Sequence, residues 1–325
     1  MRIARGLLLV MLVACGQAGS SVDGDRATVT LAGGGSALDD LWFSSRLQRV
    51  LVPTAQHGRV DLIQPDTLEV VSIGRVIHLN SADEGHGLVL AVDRVGARLV
   101  AMDVGSQSIV GSAQTSSPPD YVRFVASRDE FWVTLPVTGK IEVFKLGDNN
   151  APELVDTIDT PDGPEGLTID QTRNRAYAHL ANGRVMEVEL TARAVLSRWE
   201  IDCSNTHGIP ALDEARGFLV VGCGSTKAHV LDVKANGAVR SSFNMDGGAT
   251  LMAFNPLNKH VYVRGDPGKE VAVLALSDAG ELSLLGKMDI PEEGHCMTVD
   301  DRGNLWVCDG KNGAVVRLKD TFTSP

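Results

Sequence analysis

Apolar and polar residues alternate with a period of two through most of this chain, and the alternating segments recur in register about every 40 residues. Each copy has an apolar core, such as Asn304-Leu305-Trp306-Val307, then a short polar turn and a second strand, such as Gly313-Ala314-Val315-Val316-Arg317-Leu318. Anchors at Leu51, Leu90, Trp132, Tyr177, Leu219, Tyr262 and Trp306 are spaced by 39, 42, 45, 42, 43 and 44 residues. Four short strands fit in one such period, which is the unit of a propeller blade. Helical periodicity is sustained nowhere in residues 27–325.

The expected fold is therefore all-β: a seven-bladed β-propeller of four-stranded antiparallel blades. Second strands fall at 50–54, 89–93, 131–135, 176–180, 218–222, 261–264 and 305–309, and a third strand follows each. Outer strands are visible at 70–71, 109–110, 154–158, 195–199, 239–243 and 282–285. The seventh copy lacks an outer strand. The unemployed segment Ala27-Thr28-Val29-Thr30-Leu31 supplies it, so the N-terminal strand is expected to pair with the last blade and close the ring. A closed array is one cooperative unit, which predicts a single domain over 27–325.

The first 15 residues read as an address. Arg2 and Arg5 precede an apolar run over 6–14, too short to span a bilayer, and Leu12-Val13-Ala14-Cys15 resembles a bacterial lipobox. That resemblance implies cleavage before Cys15, lipidation of its thiol and a membrane anchor in the cell envelope. Gly16 after the cysteine favours the outer membrane, with the domain in the periplasm or on the cell surface. The polar, glycine-rich residues 16–26 read as a flexible tether.

Four further cysteines remain. The turn at 300–303 folds Cys296 onto Cys308, and Cys203 and Cys223 fall at one end of the fifth blade. The expected disulfides are Cys203 with Cys223 and Cys296 with Cys308, as an oxidising compartment allows. With 30 Lys and Arg against 41 Asp and Glu, the net charge is −11. That excess excludes a general phosphate-binding surface, so no nucleic-acid partner is expected.

The segments Cys203-Ser204-Asn205-Thr206-His207-Gly208-Ile209, Arg216-Gly217-Phe218-Leu219-Val220-Val221-Gly222-Cys223 and His229-Val230-Leu231-Asp232-Val233 resemble blades of the YVTN-type bacterial propellers. The resemblance covers roughly residues 37–320 and implies a secreted repeat fold, with no particular chemistry.

Chemistry is expected where the innermost strands begin, at one mouth of the central channel. Asp40, His78, Tyr121, Glu165, His207, Thr250 and His295 occupy equivalent positions there. Three readings follow. Glu165, His207 and His295 could ligate a divalent ion such as zinc, because imidazole and carboxylate suit it. Cys203, His207-Gly208 and Cys223 resemble the cysteine-bracketed His-Gly step of periplasmic zinc-chaperone propellers, which implies the same cofactor. Alternatively, 295–309 resembles the last blade of streptogramin (virginiamycin B) lyases, implying His295 as catalytic base with Asp309 in place of that family's glutamate. In the third reading the histidines solvate the rim. His86 reads as a residue of a turn, and His57, His179, His229 and His260 have no partner that the sequence identifies.

No Gly-x-Ser-x-Gly elbow, P-loop or Cys-x-x-Cys-His is present. The turns 93–96 and 300–303 carry too few acidic ligands for calcium and read as hairpins. Without a complete catalytic constellation, the expectation is a monomeric binding or scaffold module. It would present channel-mouth loops to an envelope protein, a glycan or a small ligand, with the zinc-binding and lyase-like readings as alternatives.

Overall fold

A computed structural model describes residues 18–324 apart from Ile77, His207, Ser225, Asp246, Gly247 and Asp266. Cys15 and its lipobox therefore lie outside the described residues, as does His207. The strands form seven antiparallel sheets in a ring, six of four strands and one of five. The only helical elements among the described residues are two 3-10 turns, Pro136–Thr138 and Val233–Ala235.

In each blade, strand a lines the axis, b and c form the body, and d faces outward. Residues of the b strands are buried on both faces, as in Glu130–Leu135 and Phe218–Cys223, because each blade is sandwiched between two others. The core is accordingly divided into seven apolar layers, one per interblade interface. Trp132 and Trp306 are fully buried at equivalent positions, and each indole N–H donates to a nearby carboxylate: Glu130 at 3.0 Å, Asp300 at 2.9 Å. Satisfying that N–H is what permits tryptophan in a dry layer.

Outer strands such as Ser108–Gln114 and Ala194–Glu200 are largely exposed, and Ile109, Leu196 and Leu284 face solvent. Flat apolar edges invite intermolecular pairing. In blades two to six the c–d pairing carries an irregularity at nearly the same place, for example between Val143 and Phe144, and between Val230 and Leu231. Bulges there twist the outer strand and spoil it as a template.

The seventh blade closes as the sequence implies. Arg26–Thr30 pairs with Ala314–Leu318 from Arg26 opposite Leu318 to Thr30 opposite Ala314. Part of residues 16–26, expected as a flexible tether, is built into the sheet. Gly19–Asp23 is a fifth strand paired only with Arg26–Thr30, and all five of its residues are exposed. A two-residue loop with Gly24 at φ 56° makes the hairpin. Asp23-Gly24 before an alternating run was the available signal.

The chain end is tied to blade six. Asp320 accepts hydrogen bonds from Tyr262 Oη at 2.6 Å and Asn258 Nδ2 at 2.8 Å, with His260 Nδ1 at 2.6 Å. Burial would raise the Asp320 pKa, but the bonds from Tyr262 and His260 hold it below the ordinary carboxylate range. Ser324 Oγ lies 3.0 Å from His260 Nε2 and completes the tie.

Both disulfides form as expected, Cys203 with Cys223 at a Cα separation of 5.3 Å and Cys296 with Cys308 at 5.5 Å. The two acidic turns are hairpins: Asp93 accepts from Gly96 N, and Asp300 accepts from the backbone of Arg302 and Asn304.

Candidate functional site at the channel mouth

Strand a of every blade starts at the same face, so residues preceding it converge on the axis. Asp40, Tyr121 and His295 meet there, around a constriction completed by Ile209, Leu251, Met252 and Met297. Its free volume is about 10 Å³, scarcely room for one water. Beyond it the channel widens to an apolar vestibule of about 370 Å³ lined by Trp42, Ile169, Ile209 and Met252, which opens on the opposite face.

The constriction is built on a buried polar network. Arg123 donates through Nη1 to Asp40 Oδ2 at 2.9 Å and through Nη2 to Asp40 Oδ1 at 3.0 Å. Ser81 Oγ donates to Asp40 Oδ2 at 2.6 Å, and the Arg123 guanidinium stacks 4.2 Å from the Trp42 ring centroid. Blades one, two and three are thus clasped by groups that are almost wholly out of water. The planar fork of arginine suits this two-point grip.

Asp83, beside this network, accepts from the backbone N–H of Glu84 and of Phe124, each at 2.7 Å. Burial pushes its carboxyl up to about 7, against the opposing pull of Arg123. A group whose folded pKa lies above its unfolded value favours the fold fully below the unfolded pKa, and that contribution is lost as pH rises through the folded one. Stability is therefore expected to fall between about pH 4 and pH 7 through this residue. Chemical denaturation across that range, compared with Asp83→Asn, checks it: the variant should lose this slope, and an unchanged slope would exclude Asp83 as its source.

Above the constriction lies a cleft of about 480 Å³, lined by Asp39, Asn80, Arg94, Glu293, His295 and Lys311. Arg94 bridges Asp39, at 3.3 Å, and Asp120. Burial raises the Asp120 carboxyl to about 6, with Arg94 opposing the rise. His295 Nε2 is 3.8 Å from Asp39 Oδ1, and its side chain is only 21% exposed. Glu293 and Lys311 line the same cleft, and neither has an ion-pair partner among the described residues.

The other rim positions are placed as follows. His78 is exposed in the turn before strand Leu79–Gly85, its backbone bonded to Ala55 and Arg94. Glu165 sits half-buried near the start of Pro164–Asp170. Thr250 is buried just before Leu251–Asn255 and donates its N–H to Arg264 O. With His207 outside the described residues, the Glu165, His207 and His295 set is not assembled by what is described. Asp309 caps its own turn, accepting from Asn312 N and Nδ2, while Asp39 Oδ1 lies 3.8 Å from His295 Nε2.

The sequence pattern overlooked Arg123, Ser81, Asp83 and Arg94. Arg123 was the readable signal, a single cation inside an otherwise apolar inner strand, Val122–Val125. His86 is in a turn as expected, set against Asp129 and edge-on to Phe124. His57, His179, His229 and His260 each contact a group supplied by another strand or loop: Gly34 O, Gly208 O, Ser242 Oγ and Asp320 respectively.

A surface cavity of about 790 Å³ lies on the opposite face between blades five and six. Its cations are already engaged in part: Arg216 with Asp213 and Asp278, Arg240 with Asp232, Lys259 with Asp278. That self-pairing leaves it less to offer a ligand than the rim cleft.

This fold and site define a class, the seven-bladed propeller with a plugged axis and a polar rim cleft. No protein-family model and no curated protein matches the chain. Among solved structures, hydrazine synthase of Kuenenia stuttgartiensis is similar, with TM-score 0.75 at 14% identity over 88% of this chain and 96% of that one. The β-propeller domain of Swd1 from Myceliophteria thermophila gives 0.73 at 13% identity, over 90% and 99%. A chain of a mitotic checkpoint complex gives 0.74 at 12%, over 98% and 99%. At such identities the likeness concerns the fold alone.

Proposed function

We propose that this chain is a binding module of the bacterial cell envelope that holds a small zwitterionic ligand, such as an amino acid or peptide terminus, in the rim cleft. The observation that carries this reading is the pair of unengaged opposite charges, Glu293 and Lys311, lining a cleft of about 480 Å³ that also contains His295 and Asp39. That volume lies in the range of small-ligand sites. The plugged channel gives the cleft a rigid floor, which lowers the ordering cost of binding. The propeller fold is consistent with a binding module, and the signal-like residues 1–15 and the YVTN-type pattern support display from a lipid anchor at Cys15.

Titration calorimetry against amino acids, short peptides and oligosaccharides tests the site. A zwitterionic probe is expected to bind, and Lys311→Ala or Glu293→Ala should each weaken it about tenfold or more. Binding that is unchanged in both variants would remove the cleft from consideration and point to the groove between blades five and six.

A further inference from the structure

A second cluster of ligand-type atoms lies away from the rim cleft. Cys223 ends strand Phe218–Cys223 of blade five, and His229 lies in the adjacent strand Lys227–Asp232. Cys223 is opposite Lys227 and Val221 is opposite His229, so Cys223 and His229 are diagonal neighbours on one face of the sheet. Cys203 comes from the loop entering the same blade. One donor atom from each of the three residues lies within 4.8 Å of the other two.

His229 is the unexplained member. It is 3% exposed, and Nδ1 is held by Ser242 Oγ at 2.7 Å, while Nε2 is buried with no hydrogen-bond partner. Leaving a buried ring nitrogen without a well-formed hydrogen bond is costly. A hydrogen-bond partner on one imidazole nitrogen is how proteins orient the other toward a metal, and the Ser242 hydroxyl fills that place here.

We propose that Cys203, Cys223 and His229 form a metal site that exists only when their disulfide is reduced, and that takes a thiolate-preferring divalent ion of the zinc type. Two sulfurs and one imidazole are a zinc donor set, and half-exposed Cys203 leaves the fourth position open to an exogenous ligand. The partial exposure of Cys203 also makes this bond reachable for exchange, whereas Cys296 and Cys308 are both buried.

The required co-reactant is a dithiol. One of its thiolates attacks the disulfide, and the resulting mixed disulfide resolves as the second thiol displaces the remaining cysteine. Two electrons pass to Cys203 and Cys223, and the dithiol becomes a disulfide. Binding of the ion then releases the two thiol protons to solvent. Reoxidation by a disulfide-bearing partner runs the exchange backward and expels the ion, so the site couples metal release to redox state.

The test is cobalt(II) titration of the full chain, oxidised and after anaerobic reduction, read by thiolate-to-cobalt charge-transfer absorption and by zinc displacement. Reduced protein should bind one equivalent, and oxidised protein should show no such band. Ser242→Ala should weaken binding about 10–100-fold, and His229→Gln by more. Cys203→Asp keeps three donors without any disulfide in this pair, so it should bind cobalt with no reductant present even if reduction unfolds the wild type. Absence of the band in both reduced wild type and Cys203→Asp would overturn the proposal. So would a band unchanged by His229→Gln, which would place the metal on other thiols.

Discussion

Deleting residues 18–31 is expected to leave a protein that does not fold. Arg26–Thr30 supplies the outer ladder of blade seven over its whole length, and Leu31 N and Lys319 N extend the contact to Gly313 O and Asp25 O. Ala27, Val29 and Leu31 are almost wholly buried in the layer between blades seven and one, together with Trp306 and Val315. Exposing Val29 and Leu31 alone costs about 1.5–3 kcal/mol each. The freed edge of Ala314–Leu318 adds lost hydrogen bonds and a template for aggregation. A domain of this kind has only about 5–15 kcal/mol to lose. Circular dichroism melting and size-exclusion chromatography would show it: no cooperative melt, or aggregation. Deleting only 18–23 should be nearly silent, because Gly19–Asp23 is exposed throughout. A well-folded 18–31 deletion would mean that the ring closes without this strand.

Asp40→Ala is expected to be the most damaging single substitution in the channel, at about 3–5 kcal/mol, because it leaves the Arg123 guanidinium buried without its bidentate partner. Arg123 Nε already lacks a hydrogen bond, so the network has no slack. Replacing both residues together, as Asp40→Leu with Arg123→Met, should cost less than Asp40→Ala alone, since no orphaned charge remains. Urea denaturation midpoints at unchanged m-value read this directly. If the stability change read from the Asp40→Ala midpoint shift is less than about 1 kcal/mol, the clasp does not hold blades one and three, and surface-pair energetics apply instead.

Much of the fold was legible because the repeat is local. Trp132 and Trp306 occupy equivalent positions in their copies, and that equivalence survives in the three-dimensional blades. The disulfides were legible for the same reason: each pair lies within one blade, where a hairpin or a short return brings the sulfurs together. The site was less legible. Asp40, Tyr121 and His295 converge at the constriction as aligned positions should, since ring symmetry sends equivalent residues to one axis. Arg123 departs from that alignment: it is two residues further along its strand than Tyr121, and its partner Asp40 is 83 residues away, on blade one. The Asp39 beside His295 is likewise 256 residues away in sequence, across the junction between the last blade and the first.

The alternating pattern and its 39- to 45-residue period by themselves determined strand identity, blade number and the pairing within each blade, because these depend on neighbours a few residues apart. Tertiary structure alone decided that the axis is plugged, that Glu293 and Lys311 share a cleft, and that the His229 ring lies against a disulfide. Those features depend on side chains from separate blades or loops meeting at distances that no periodicity encodes, since closure of the ring and close packing set them.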